Sequence, residues 1–252
     1  MRASHWLAVT FSLLSIPADI GVTRTEQLLA DAGGDSWAEA DLLKPLCALY
    51  AHVDRAAEAR AAIDRSQSIF AGFGAKLALA ESAVPAAIVG LIIGDPAAAE
   101  RYARQGIEEF QAMGERRLVV PLVGLLADAL YQQGRFDEAQ QLIDEANWAP
   151  DPVFSTRLTE AKLLARRGQF AAARTLVGQV EAVLPPTSIP MARANVLKAK
   201  AEVERLAGAT GQAAASLRAA LDIYEQQRAT TLTGQIRAAL ASLAAQPGRD
   251  PA

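Results

Sequence analysis

The side chains in this sequence best suited to acid–base, nucleophilic or metal chemistry are few: His5, His52, Cys47, and the carboxylate pairs Glu108-Glu109 and Glu202 with Glu204. Serines and aspartates abound, so a Ser-His-Asp arrangement stays open, but no nucleophile elbow accompanies either histidine. No G-x-x-x-x-G-K-[ST] cradle for phosphates occurs, and neither does H-E-x-x-H or a paired-cysteine spacing. His52 falls near the end of a helical stretch and is expected to be half-exposed there. Cys47 occupies a small-residue packing position and is expected to be a buried structural thiol. Adjacent or alternate residues on a helix diverge in direction, so both carboxylate pairs are expected to lie on solvated faces rather than to form acid–base dyads. The expectation is a protein without catalysis of its own, without cofactor and without metal.

Charge is distributed unevenly. From residue 128 to 151 run Asp128, Asp137, Glu138, Asp144, Glu145 and Asp151 against Arg135 alone. From 157 to 205 run Arg157, Lys162, Arg166, Arg167, Arg174, Arg193, Lys198, Lys200 and Arg205 against Glu160, Glu181, Glu202 and Glu204. An acidic stretch abuts a basic one, while the net charge of the 252 residues is only −3. Nucleic-acid binding is not expected from such a balance.

A recurring pattern must position these residues. Leu125 to Ala146 reads as a helix, a turn at Gly134 and a second helix. Small Ala127 lies seven residues before that glycine, with Phe136 two after, Ala139 five after and Ala146 twelve after. Forty residues earlier Gly94 has Ala87 and Ala99 at the same offsets, and forty before that Asp54 has Cys47 and Ala59. Thirty-four residues after Gly134 comes Gly168 with Ala161, Phe170 and Ala173, and forty further comes Gly208 with Ala201, Ala213 and Ala220. Small residues at these places let paired helices approach closely. The outgoing helices are expected over Ala56 to Phe73, Pro96 to Met113, Phe136 to Trp148, Phe170 to Val183 and Gly211 to Gln227. Asp95 is expected to cap the helix that Pro96 opens. Pro45 and Pro85, forty apart, are expected to kink their helices or to mark where regular hydrogen bonding begins. Flanking helices are expected at Asp19 to Asp31, ended by Gly33-Gly34, and at Thr230 to Ala244, covering the last apolar face. No strand signal survives, since Leu118 to Val123 continues in helical phase through Tyr131.

The small–turn–small pattern resembles the tetratricopeptide repeat (TPR), a two-helix unit that stacks into a solenoid. Phrases such as Gly134-Arg135-Phe136-Asp137-Glu138-Ala139 and Ala214 to Tyr224 are similar to the C-terminal helical-repeat region of bacterial cyclase-associated ATPases and LuxR- or MalT-like regulators. The NTPase, cyclase and helix-turn-helix parts of those proteins are missing from this sequence. The expectation is a free-standing module or a portion of something longer. The resemblance implies an all-α fold, a TPR-like right-handed α-solenoid of about five helix-turn-helix repeats with flanking helices. It also implies a concave groove lined by the incoming helices. Carried onto this sequence, the groove residues are Lys44, His52, Val84, Ile88, Leu91, Asp128, Tyr131, Lys162, Arg166, Lys198, Glu202 and Arg205. Such a groove is apolar at one end and basic at the other, and suits a protein or peptide partner with an acidic segment.

Composition agrees with close helix packing: 51% of residues are hydrophobic but only 6% aromatic, with alanine supplying much of the difference. One cysteine excludes an internal disulfide framework and fits a reducing, cytoplasmic setting. Trp6 to Ile16 has the length of a signal-peptide core, but Pro17-Ala18-Asp19 is a poor cleavage site. Residues 1–34 are therefore read as leading helices of a truncated repeat, with a targeting segment at 1–18 as the alternative. Residues 35–245 form the repeat array and 246–252 a disordered tail. No run reaches the ~20 apolar residues of a bilayer span, so no membrane association is expected. The function expected is a non-catalytic interaction scaffold or regulatory module in signal transduction. A ligand-sensing domain with a pocket near Val84, Ile88, Leu91 and Tyr131, and self-association through the apolar second unit, are the alternatives.

Overall fold

Alanine-rich stretches with glycine at regular intervals dictate many short helices and tight turns. The computed structural model describes residues 16–146, 154–184 and 190–245, with Phe154 described by its backbone alone. The expected targeting segment, His5, the helix extension to Trp148, Asp151, the proline loop after Leu184 and the tail lie wholly or largely outside the described residues.

All regular structure among the described residues is helical. In chain order the helices are α1 (Ala18–Asp31), α2 (Ser36–His52), α3 (Ala56–Gly72), α4 (Lys76–Glu81), α5 (Ala83–Ile92) and α6 (Pro96–Ala112). They continue as α7 (Val119–Gln132), α8 (Phe136–Glu145), α9 (Phe154–Arg166), α10 (Phe170–Val183), α11 (Pro190–Leu206), α12 (Thr210–Gln226) and α13 (Thr230–Ala245).

The five turns picked out by spacing share one geometry. Asp54, Gly94, Gly134, Gly168 and Gly208 all have positive φ, from 61° at Asp54 to 77° at Gly134 and Gly208. At each, the following residue's N–H closes back onto the incoming helix: Arg55 to the Tyr50 carbonyl at 3.0 Å, Arg135 to Leu130 at 3.0 Å, Ala209 to Glu204 at 2.9 Å. This is the six-to-one closure that ends a helix on a left-handed residue. Glycine adopts that conformation freely, and at Asp54 an aspartate takes it with local side-chain support. The small residues seven before and five after each turn are buried: Cys47 and Ala59, Ala87 and Ala99, Ala127 and Ala139, Ala161 and Ala173, Ala201 and Ala213. At Gly90 the approach is closer still, since a Cβ there would lie 2.7 Å from the backbone nitrogen of Ala99.

Helix starts follow from capping residues. The Asp35 carboxylate accepts from the N–H groups of Trp37 and Ala38, and Asp95 accepts from Ala98 at 3.0 Å ahead of Pro96. The two register-matched prolines behave differently. Pro45 lies inside the continuous helix α2. Upstream of Pro85 the helix breaks at Ser82 between α4 and α5, beside the Glu81 carbonyl that the proline nitrogen cannot serve.

Each incoming helix packs on its own outgoing partner and on the next incoming helix, giving the series α2, α5, α7, α9, α11. The terminal helix α13 does more than cover an apolar face. It packs on α12 and also reaches α2, so the two ends of the described chain meet. Thr231 Oγ1 donates to the Ala51 carbonyl at 2.6 Å, and the Asp54 N–H donates to Thr231 Oγ1 at 3.0 Å. Ala18 N–H donates to the Gln227 carbonyl at 2.8 Å, with Asp19 and Arg228 paired at 2.8 Å beside it. One apolar cluster runs across this seam, joining Val22, Leu46, Ile63 and Phe70 to Tyr224, Leu232 and Ile236.

Candidate functional site

Six residues before the turn, three successive units carry Asp128, Lys162 and Glu202, a charged residue of alternating sign at one helical offset. Stacking the incoming helices side by side sets these residues against each other. Lys162 Nζ bonds Asp128 Oδ1 from α9 to α7, and Gln132 donates to the other oxygen, Asp128 Oδ2, at 3.0 Å. Tyr131 Oη donates to Glu202 Oε1 at 2.8 Å, from α7 to α11. Arg205 grips both oxygens of Glu202, at 2.7 and 2.8 Å. The Lys162 ammonium stands 4.5 Å from the Tyr131 ring centre, and the Arg166 guanidinium lies 3.8 Å over Phe136. Six of the twelve residues expected along the groove thus meet in one polar cluster, Asp128, Tyr131, Lys162, Arg166, Glu202 and Arg205, with the Lys198 charge acting on Asp128.

His52 shares no hydrogen bond with them among the described residues, and its expected half-exposure is corrected. The residue is 7% exposed because α13 closes over the end of α2, Thr230 Oγ1 approaching the His52 carbonyl at 3.5 Å. Burial, reinforced by the nearby Lys198 charge, pushes its imidazole down to about 4. Its Nδ1 has no hydrogen-bond partner among the described residues. Lys198 is lowered by burial and by Lys162, with Asp128 opposing. Burial alone would raise the Asp128 carboxyl, but Lys162, Lys198 and the Gln132 amide outweigh it and hold it below the ordinary range. Glu202 is held low in the same way, burial being overcome by Arg205 and the Tyr131 hydroxyl.

Lys44 stands apart from the cluster. It pairs with Asp41 at 2.7 Å, approaches Glu81 at 4.0 Å and sits 5.2 Å over the Phe70 ring. Val84, Ile88 and Leu91 are half-buried on α5, where Ile88 packs against the seam cluster and Val84 against the central one. The carboxylate pair Glu202 and Glu204 is not on a solvated face. Glu204 is buried to 5% exposure and accepts two hydrogen bonds from Arg174, at 2.9 and 2.6 Å. A cavity of about 60 Å³ lies beside Arg174 and Glu204, lined also by Val177, Gly178 and Val203. Cys47 is buried as expected, its thiol pushed up to about 12 by burial.

The expected basic end is therefore largely self-paired. Offsets within a single unit do not give the partners: Asp128 takes Lys162 from the next unit at the same offset, whereas Tyr131 takes Glu202 from two units on. Chemically the arrangement suits binding and orientation through charge. Among the described residues no group of three or more His, Cys, Asp and Glu is placed to hold a metal ion, and no helix is long and apolar enough to cross a membrane. No family model and no curated protein matches the chain.

Proposed function

We propose that the chain is a TPR-like helical-repeat module, a right-handed α-solenoid drawn round until its ends meet, that binds a protein partner in a regulatory role and performs no catalysis. The observation that carries the reading is the fivefold recurrence of a left-handed turn residue between buried small residues. Helix pairs built that way present their incoming helices as one continuous surface, the usual binding face of such arrays. On that surface four cations, Lys162, Arg166, Lys198 and Arg205, face two carboxylates, Asp128 and Glu202, which favours a partner with an acidic segment.

The test uses retention of partners from a cell extract by the wild-type chain and by an R166E/K198M variant. Lys162 is left intact because reversing it would orphan Asp128. Loss of a retained protein from the variant, with the melting temperature unchanged, is the expected result. Equal retention by both removes the inner surface from the reading.

A second reading, a module that senses a small molecule, is favoured by one observation. Closure of α13 on α2 buries His52 and leaves its Nδ1 without a hydrogen-bond partner among the described residues. A ligand-dependent rise in melting temperature is its direct signature.

A further inference from the structure

The turn between α12 and α13 has a sequence that disagrees with its shape. Arg228 holds a left-handed φ of 50° there, and Asp54 is the other non-glycine residue at positive φ among the described residues. Gly74, Gly94, Gly114, Gly134, Gly168 and Gly208 take that conformation at the other turns. An aspartate visits it more readily than most residues, and Asp54 is further supported by Thr231. Arginine has no such ease, and its side chain answers with an exposed ion pair to Asp19. Around it run Glu225, Gln226, Gln227 and Ala229, all strong helix formers, and no glycine or proline occurs from Gln212 to Thr233. Local propensity therefore favours one uninterrupted helix where the fold makes a bend.

Beyond the bend, α13 closes the chain on itself. The Thr230 and Thr231 hydroxyls reach the His52 and Ala51 carbonyls at 3.5 and 2.6 Å, and the Gln235 amide donates to the Ile92 carbonyl at 2.7 Å. These carbonyls belong to the open C-terminal ends of α2 and α5, so α13 serves groups that those helices cannot satisfy themselves. Leu232, Ile236 and Leu243, spaced to share one helical face, are buried alongside. Closure also has a cost. His52 Nδ1 on α2, Tyr224 Oη on α12 and Gln227 Oε1 at the end of α12 are buried without a hydrogen-bond partner among the described residues. Buried polar atoms of that kind lower the free energy needed to open the seam.

We propose that α13 is exchanged between two copies of this chain. The turn at Arg228 straightens, α12 runs on into α13, and each copy's α13 seats on the α12 face and the α2 and α5 ends of the other. Its 16 residues at 1.5 Å each carry α13 roughly 24 Å clear of the end of α12. A second copy fits because it presents the same carbonyls and the same apolar face that α13 fills within one chain. The seam is re-formed between chains, so its contacts cancel between closed monomer and exchanged dimer. What differs is the turn. Two left-handed arginines become helical and two Asp19–Arg228 pairs are given up, against the translational freedom lost on association. The balance is therefore set by chain concentration.

The test reads oligomeric state in the purified full-length chain with no partner present, so it can fail separately from the interaction reading. Light scattering after size-exclusion chromatography, over a hundredfold range of chain concentration, should show monomer giving way to dimer. A disulfide reports whether the seam is made within or between chains, because in C47S/D54C/T231C the two introduced thiols replace side-chain oxygens 2.7 Å apart. Oxidation should link the dimer fraction into covalent dimers on a non-reducing gel and leave the monomer fraction as internally bridged single chains. R228G relaxes the bend and keeps the closed contacts apart from the Asp19 pair, so it folds whether or not the cysteine variant does. It should weaken dimerisation at least tenfold, since each dimer straightens two turns. A chain monomeric throughout, a dimer fraction bridged only internally, or an R228G dimer as stable as wild type overturns the exchange. The second of these assigns association to another surface, such as exposed Trp37 and Phe73.

Discussion

The Tyr131 hydroxyl donates a 2.8 Å hydrogen bond to Glu202 across 71 residues of sequence, joining α7 to α11 over the intervening helix α9. A contact that skips one unit requires the incoming helices to converge. The face shared by α7, α9 and α11 is accordingly partly filled by its own side chains. Tyr131→Phe removes this bond but leaves Glu202 held by Arg205, so no carboxylate is orphaned. A hydrogen bond to a charged acceptor contributes about 1.5–3 kcal/mol net. Urea denaturation should show a loss of that size with an unchanged m-value. A neutral substitution would mean that the two helices are positioned by apolar packing alone.

Two glycine-to-alanine substitutions should have opposite signs. At Gly90 a Cβ would sit 2.7 Å from the Ala99 nitrogen and 3.0 Å from its Cα, both backbone atoms that cannot move without parting α5 from α6. Overpacking of this kind costs about 1–3 kcal/mol. At Gly178, inside α10, the same atom meets nothing within 4 Å. There alanine gains helix propensity, worth about 0.5–1 kcal/mol. Thermal melts of G90A and G178A should move in opposite directions.

The periodic features were legible because they are local. A left-handed turn residue and small residues at fixed offsets are required of every helix pair, so Asp54 could be placed by position although it is not glycine. That Asp128, Lys162 and Glu202 lie on the incoming helices was legible for the same reason. Their pairing was partly so: Asp128, Lys162 and Glu202 at one offset in successive units is a signal that reading along a single unit passes over. Closure of the chain left no such mark. It depends on how each helix pair is set against the next, and neither Thr231 nor Ala18 differs from an ordinary helix-start residue. The burial of His52 was missed as a consequence, since α13 covers it and lies 178 residues away at Thr230.

That closure should be visible in hydrogen exchange. Thr231 Oγ1 accepts from the Asp54 N–H and has the Ala51 carbonyl and Asp54 Oδ1 as alternative acceptors for its one proton, and Ala18 N–H closes on Gln227 nearby. Thr231→Val keeps the shape and removes these bonds. The Ala18 and Asp54 amides should then exchange at least about tenfold faster, while the turn amides of Arg135 and Gln169 keep their protection. If Ala18 already exchanges freely in the wild-type chain, the ends do not meet in solution.

Acid sensitivity should trace to His52. In the unfolded chain a histidine takes up its proton near pH 6.5, whereas burial beside Lys198 holds His52 neutral in the fold down to about 4. Between those values the unfolded chain binds more protons than the folded one, so stability falls as pH is lowered. The full contribution is present above pH 6.5, and the loss approaches about 3 kcal/mol by pH 4, at 1.36 kcal/mol per unit of pKa difference. Asp128 and Glu202, whose carboxyls are held low, add their own loss only at more acid pH. His52→Gln keeps an amide donor without a titrating group. Denaturant midpoints taken from pH 7 to pH 4 should fall in the wild-type chain and stay nearly level in the variant until the carboxylates begin to protonate. Parallel profiles would move the acid sensitivity to the carboxylates and remove His52 from the closed seam.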